Sequence, residues 1–289
     1  MLGVRSDWRS QGCVALYYDA HGAKRTLRFL EWREFGVIDA VAKNEGIFAL
    51  TESGAILHFS LPKSPRKQAE TLTLDGQRGS PLVPAGFASS TTILAGNGEF
   101  LLSCAFGGVR VVPLRADPAG ESVSESWRVG ETVKKIVSDG WKLVAVSDED
   151  DVWVASLQSG RPQVEFELRL KSASVRDVAV SARSMLVGVL GTDGAVHLFS
   201  LFDGSFLRTL RGKGAVRLFC VTHTSSVLVV SEGSRTLQHY DQLNGLIGEV
   251  NLSFEPDRIK TTEDTRLVII EGERGTEVRD LRDLKVFQG

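Results

Sequence analysis

Short apolar runs recur along the chain, each followed by a polar turn and a second apolar run. Ile47-Phe48-Ala49-Leu50 leads through Glu52-Ser53-Gly54 to Ile56-Leu57-His58-Phe59. Leu101-Leu102-Ser103-Cys104 leads through Gly107-Gly108 to Val109-Arg110-Val111-Val112. Leu143-Val144-Ala145-Val146 leads through the acidic turn Asp148 to Asp151 into Val152-Trp153-Val154. The same figure returns at Leu186 to Val189 with Val196 to Phe199, at Val227 to Val230 with Leu237 to Tyr240, and at Leu267 to Ile270 with Val278. The turns fall roughly 39–45 residues apart, with one longer step between Gly54 and Gly108. The first run of each pair is apolar at successive positions, as a strand buried on both faces reads. These runs are too short and too β-branched for helices, while segments such as Phe206-Leu207-Arg208-Thr209-Leu210 alternate as outer strands do. A period near forty with four short strands per unit marks a propeller blade.

The pattern therefore predicts an all-β fold, a closed β-propeller of four-stranded antiparallel blades with very little helix. The 289 residues divided by a period of about forty give about seven blades; the long step and a thin N-terminal unit leave six as the alternative. Residues 1–289 form one domain in this reading. The two termini should meet in one blade, because closure removes the open edges that aggregate. Innermost strands are expected at Val37 to Ala40, Val133 to Ile136, Val175 to Val178 and Val216 to Leu218. The segment from Pro62 to Pro84 departs from the repeat. Its prolines, serines and like charges predict a loop insertion, about 62–84, flanking one outer strand at Thr71-Leu72-Thr73-Leu74.

The stretch Asp193-Gly194-Ala195-Val196-His197-Leu198-Phe199-Ser200, continuing through Asp203-Gly204-Ser205 to Leu210-Arg211-Gly212, resembles a WD40 repeat. The family's Trp-Asp pair falls here on Phe199-Ser200, and in other units on Tyr240-Asp241, Phe59-Ser60, Val154-Ala155 or Arg279-Asp280. The repeats are degenerate: no unit keeps Trp-Asp, and the Gly-His signature is absent. Without that family's Asp–His hydrogen-bonded tetrad, the resemblance implies that packing alone holds the blades. Leu228 to Gly233 with Tyr240 to Gly245, and Thr276 to Val286, are also similar to the C-terminal propeller of BEACH-domain trafficking proteins.

Composition adds little that changes this picture. A formal net charge of −2 gives no electrostatic footprint for nucleic acid or an anionic membrane. No run approaches the ~18 apolar residues of a spanning helix, and the N-terminus has no apolar signal core. The three cysteines, Cys13, Cys104 and Cys220, are widely spaced in apolar settings, which predicts buried reduced thiols and a cytoplasmic protein. The five histidines do not converge: His58 and His239 occupy equivalent places in different units, so no metal site is expected. The acids at Asp148 to Asp151 lack the glycine of a calcium loop. Gly188, Gly191 and Gly194 lie on a strand and hairpin rather than before a helix, so they do not make a dinucleotide fingerprint. No cofactor is implied.

Two functional readings remain. The first is a non-enzymatic scaffold for other proteins, a subunit or domain of a hetero-oligomeric complex, with no nucleic acid bound and no membrane insertion. Its candidate partner surface is the basic segment Lys63, Ser64, Arg66 and Lys67, together with Trp141, which follows Asp139-Gly140 in a turn and is expected to be exposed. Ser64, followed by Pro65-Arg66-Lys67, has the pattern of a proline-directed phosphorylation site. Trp127 and Trp153 read as core strand residues, and Trp8 as a seal near the terminus. The second reading is an enzyme or small-ligand propeller, whose central channel would be lined by Asp39, Lys134, Arg176 and Asp177.

Overall fold

A computed structural model describes 27 strands between residues 2 and 280, and among the described residues no helix. Side chains are described from Val133 to Val286, apart from residues 140, 158–161, 171–172, 243–244 and 262–266. Before Val133 only strand backbones are described.

The strands sort into seven sheets, six of four strands and one of three. The first holds Leu2–Asp7, Gly12–Tyr18 and Lys24–Phe29, and the second Val37–Lys43, Gly46–Thr51 and Ile56–Ser60. The third holds Ile93–Ala95, Phe100–Ala105, Gly108–Pro113 and Glu125–Trp127, and the fourth Val133–Ser138, Lys142–Ser147, Val152–Ser156 and Gln163–Leu168. The fifth holds Val175–Ser181, Leu186–Gly191, Val196–Ser200 and Phe206–Leu210. The sixth holds Val216–Val221, Ser226–Ser231, Thr236–Asp241 and Gly245–Asn251, and the seventh Arg258–Thr261, Leu267–Gly272 and Gly275–Asp280. From the third sheet on, each is an antiparallel meander in chain order, as the paired runs of the sequence require.

The segment 62–84 differs from expectation. It supplies outer strands to two sheets: Leu72–Thr73 joins Lys24–Phe29 in parallel, and Ser80–Val83 pairs with Ile56–Ser60. Pro81 reads as a loop residue but is tolerated here, because an outer strand leaves one row of ladder donors unused. The first strand pairs within the first sheet, and Val286 bridges back to Arg279 in the seventh. Among the described strands none is shared between the two termini.

The register repeats with the fold. In the second, fourth, fifth and sixth sheets the innermost strand shifts by one residue, between Val37 and Asp39, Val133 and Lys135, Val175 and Asp177, and Val216 and Leu218. Each bulge leaves one extra residue, namely Ile38, Lys134, Arg176 or Arg217, and a bulge re-aims its side chain. The same sheets shift again between the third and outer strands.

Neighbouring sheets bury their faces against one another. Val144, Val146, Val152 and Val154 of the fourth sheet meet Val178, Val187, Val189 and Phe199 of the fifth. Leu186, Leu190 and Leu198 of the fifth meet Phe219, Val221 and Val227 of the sixth. Leu228, Val230 and Leu237 of the sixth meet Val268, Ile270, Leu281 and Leu284 of the seventh. Every residue of Leu186–Gly191 and Ser226–Ser231 is buried, which explains their unbroken apolar runs. Gly188 is required by this contact, since a Cβ there would lie 2.6 Å from the Phe219 ring. Trp153 is half-buried rather than core, and Trp127 ends a strand. Among the described residues no helix is long and apolar enough to cross a membrane.

Candidate interaction surfaces

In a four-stranded meander the turns between first and second strands, and between third and outer strands, emerge at one end. The turns between second and third strands, and the linkers between sheets, emerge at the other. These two ends carry different chemistry.

The linker end is charged and cross-linked. The bulged cations reach outward to it: Lys134 pairs with Asp150 in its own sheet's hairpin, and Arg176 Nη1 lies 3.0 Å from Glu232 in the next sheet. Arg217 donates to the Pro256 carbonyl in the linker to the seventh sheet and lies 3.4 Å from Glu255 and 3.9 Å from Asp257. Beside them Lys135 pairs with Asp177 across the fourth and fifth sheets. Packing is therefore not alone in joining the sheets, contrary to what the missing tetrad implies; charge pairs one repeat apart take part. The channel candidates Lys134, Arg176 and Asp177 are all engaged in these pairs, while the side chain of Asp39 lies outside the described residues. The acidic turn is held together in the same way. Asp150 bonds Lys134 and Asp151 lies 3.4 Å from Arg169, while Ser147 Oγ accepts the amides of Glu149 and Asp151. Partial burial works against ionisation of Asp150, but Lys134, Ser174 and the Val175 amide outweigh it and hold its carboxyl below the usual range.

Four further titratable groups are held within the fold. His239 is buried, with Nε2 2.7 Å from Ser226 Oγ, which in turn lies 2.7 Å from Thr222 Oγ1. Burial pushes the His239 pKa down, against a weaker pull from Asp241. His223 Nδ1 lies 2.8 Å from Ser181 Oγ of the neighbouring sheet. Cys220 packs between the sixth and seventh sheets, and burial pushes its thiol up to about 11, so thiolate chemistry is unfavourable there. Arg279, at a Trp position of the family pattern, is buried and donates to Glu277 and to the Leu284 and Asn251 carbonyls. Among the described residues no three His, Cys, Asp or Glu side chains converge as metal ligands.

The turn end carries the exposed apolar side chains. All nine exposed large hydrophobics among the described residues lie in its turns or within the first three residues of the outer-strand segments: Trp141, Met185, Phe202, Val164, Phe206, Leu207, Leu246, Ile247 and Val286. Val164, Phe206 and Leu246 hold equivalent places opposite Ala155, Phe199 and Tyr240, and Val286 stands opposite Arg279 in the same way. Trp141 is 57% exposed, and its turn is fixed by Asp139 Oδ1, which accepts the amides of Trp141 and Lys142. Lys63, Ser64, Arg66 and Lys67 lie outside the described residues, as do Trp8 and Trp32.

A groove of about 480 Å³ opens at this end between the fourth and fifth sheets, lined by Lys142, Glu165, Phe166, Met185, Leu201, Phe202 and Asp203. Sequence reading does not find it, because its lining comes from four separate segments. The one local signal is Phe202, an aromatic placed in a tight turn between Ser200 and Ser205, where the fold needs none.

No family model matches the chain, and no curated protein matches it by sequence. The fold is similar to the WD40 β-propeller domain of Doa1, seen in a crystal structure, with a TM-score of 0.63 and 17% sequence identity. The match covers 88% of this chain and 82% of that one. Because 1587 chains of solved structures match, the likeness is to a fold rather than to one protein. The chain thus has a WD40-type β-propeller fold with four-stranded antiparallel blades.

Proposed function

We propose that the chain is a non-catalytic platform for other proteins, acting in the cytoplasm as part of a larger assembly. The observation that carries this reading is the one-sided exposure of nine large apolar side chains at the turn end. Exposed contiguous apolar surface is a mark of interaction sites, and aromatic anchors dominate their energetics. Propellers of this kind bind proteins through their faces. The central-channel reading has less in its favour, since Lys134, Arg176 and Asp177 are each taken up by a partner outside that set, Asp150, Glu232 and Lys135 respectively.

The same proposal includes a complete ring of seven blades, with the seventh sheet packed on the first. Deleting residues 1–30 should then lower the melting temperature of the whole domain; an unchanged, cooperative melt would exclude a closed ring. It also includes the basic segment. Phosphate on Ser64 would add about −1.5 to −2 charge among Lys63, Arg66 and Lys67, and weaken contact with an acidic partner. The test is cross-linked co-purification from cells with wild type, Ser64→Ala, Ser64→Glu and a variant neutralised at Lys63, Arg66 and Lys67. Wild type should recover a defined set of proteins, reduced by Ser64→Glu and by neutralisation. Recovery of none would sink the platform reading, and equal recovery by all four would leave the segment as plain surface.

A further inference from the structure

The groove between the fourth and fifth sheets is built from residues whose placement costs the chain something. Met185 sits at φ 54°, a left-handed conformation that disfavours a long side chain by about 1–2 kcal/mol. It is also 42% exposed. The equivalent turn of the sixth sheet has Ser225 at φ 59°, so the geometry itself does not call for methionine. Phe202 is 84% exposed, yet its turn is rigid. Ser200 Oγ accepts the Phe202 amide, the Ser200 amide donates to the Ser205 carbonyl, the Gly204 amide donates to the Ser200 carbonyl, and Asp203 Oδ1 accepts the Ser205 amide. A pre-ordered exposed aromatic loses little entropy on binding, and an unbranched methionine adapts to what it meets. Phe166 and Leu201 complete an apolar floor.

The charges around this floor leave one carboxylate in excess, with Lys142 set against Glu165 and Asp203. Lys142 pairs with Glu165, but the Lys142 side chain is 13% exposed and that of Glu165 34%, so the outward member is the carboxylate. Asp203 is exposed and is held ionised by the Ser205 hydroxyl and amide rather than by any cation. Arg183 shares the Met185 turn but does not line the groove. The volume is at the lower end of the range for small binding sites and has room for one or two side chains, which suits a short segment rather than a globular surface.

Resting on the platform reading, we propose that this groove binds a short linear segment of a partner protein whose bulky apolar side chain is flanked by Arg or Lys. The apolar side chain enters between Met185 and Phe202, and the cation meets Glu165 and Asp203.

The test is selection of a displayed library of random 12-residue peptides on the whole chain, then fluorescence-anisotropy titration of the enriched peptides. Enriched sequences should share a bulky apolar residue beside Arg or Lys. Their affinity should fall at least about tenfold with Phe202→Ser, and about threefold with Glu165→Gln or Asp203→Asn, with melting temperatures unchanged. No enrichment, enrichment of acidic sequences, or equal affinity for Phe202→Ser would overturn the proposal. Self-association in sedimentation that Phe202→Ser abolishes would also overturn it, by giving the groove to a second copy of this chain. Peptides that bind independently of Phe202 would reject the groove and keep the platform, whereas failure of the co-purification would reject the platform itself.

Discussion

At the linker end of the sheets charged groups are largely occupied with one another across units; the turn end, beside its own charges, carries all the exposed large apolar side chains among the described residues. Arg176, Arg217 and Lys135 each reach across to a neighbouring sheet, whereas Trp141, Phe202 and Ile247 project from turns and outer strands. The contrast suggests a division of labour. The linker end fixes the angle between sheets, and the turn end holds surface in reserve for partners. Stability and binding should therefore respond to different substitutions.

The largest expected effect is at the linker end. Arg217→Ala removes a half-buried guanidinium that serves the Pro256 carbonyl, Glu255 and Asp257. Hydrogen bonds to charged groups are worth about 1.5–3 kcal/mol, so urea unfolding should show a loss of about 2 kcal/mol. A loss below about 0.5 kcal/mol would mean that the clamps are incidental and that apolar packing alone sets the fold.

An intermediate effect sharpens the comparison from the other side, since the turn end has its own polar device. His239, bonded to Ser226, has a folded pKa below its ordinary value of about 6.5. The folded chain then binds fewer protons than the unfolded one, so stability is full above about pH 6.5 and declines as pH falls toward the lower folded value. His239→Gln keeps a partner for Ser226 and removes the titration. Its urea midpoint should change less between pH 7 and pH 5 than that of wild type; identical slopes would assign the acid sensitivity elsewhere.

The smallest effect is the most diagnostic. Phe202→Ser and Trp141→Ser change side chains that touch little, and surface substitutions of this kind usually stay within about 0.5 kcal/mol. Thermal melts should be unchanged while partner recovery falls. A large destabilisation by either would mean that these aromatics belong to the fold and would erase the division between the two ends.

How much of this could be read from sequence depended on whether the cause was local. Leu186 to Gly191 and Ser226 to Ser231 announce themselves, because a strand buried on both faces loses its alternation. Ser80–Val83 did not, because Pro81 is a loop signal everywhere except on an outer strand. The pair Lys135–Asp177 is invisible to local reading, yet its two members sit in matching places one repeat apart. Aligning the units and looking for opposite charges at one register would have found it. The groove was less accessible still: Glu165, Met185 and Phe202 are brought together only when the fourth and fifth sheets pack. Trp141 was legible because Asp139-Gly140 is turn chemistry, and a residue just after such a turn has nothing to cover it.

The bulge that recurs at the start of the innermost strand in four of the seven sheets has a consequence for how such a chain can change in length. Each bulge side chain, or the residue beside it, reaches no farther than the adjoining unit, so the interactions are of the nearest-neighbour kind. The fourth, fifth or sixth unit, cut out at its linkers, carries its bulge and its cation with it. Recombination that duplicates or removes one such unit therefore presents the new neighbours with the same hook. The array behaves like beads that carry a cation at one register and find different partners for it, Lys134 in its own hairpin, Arg176 in the next hairpin and Arg217 in the next linker, so that no unit depends on a private match with one neighbour.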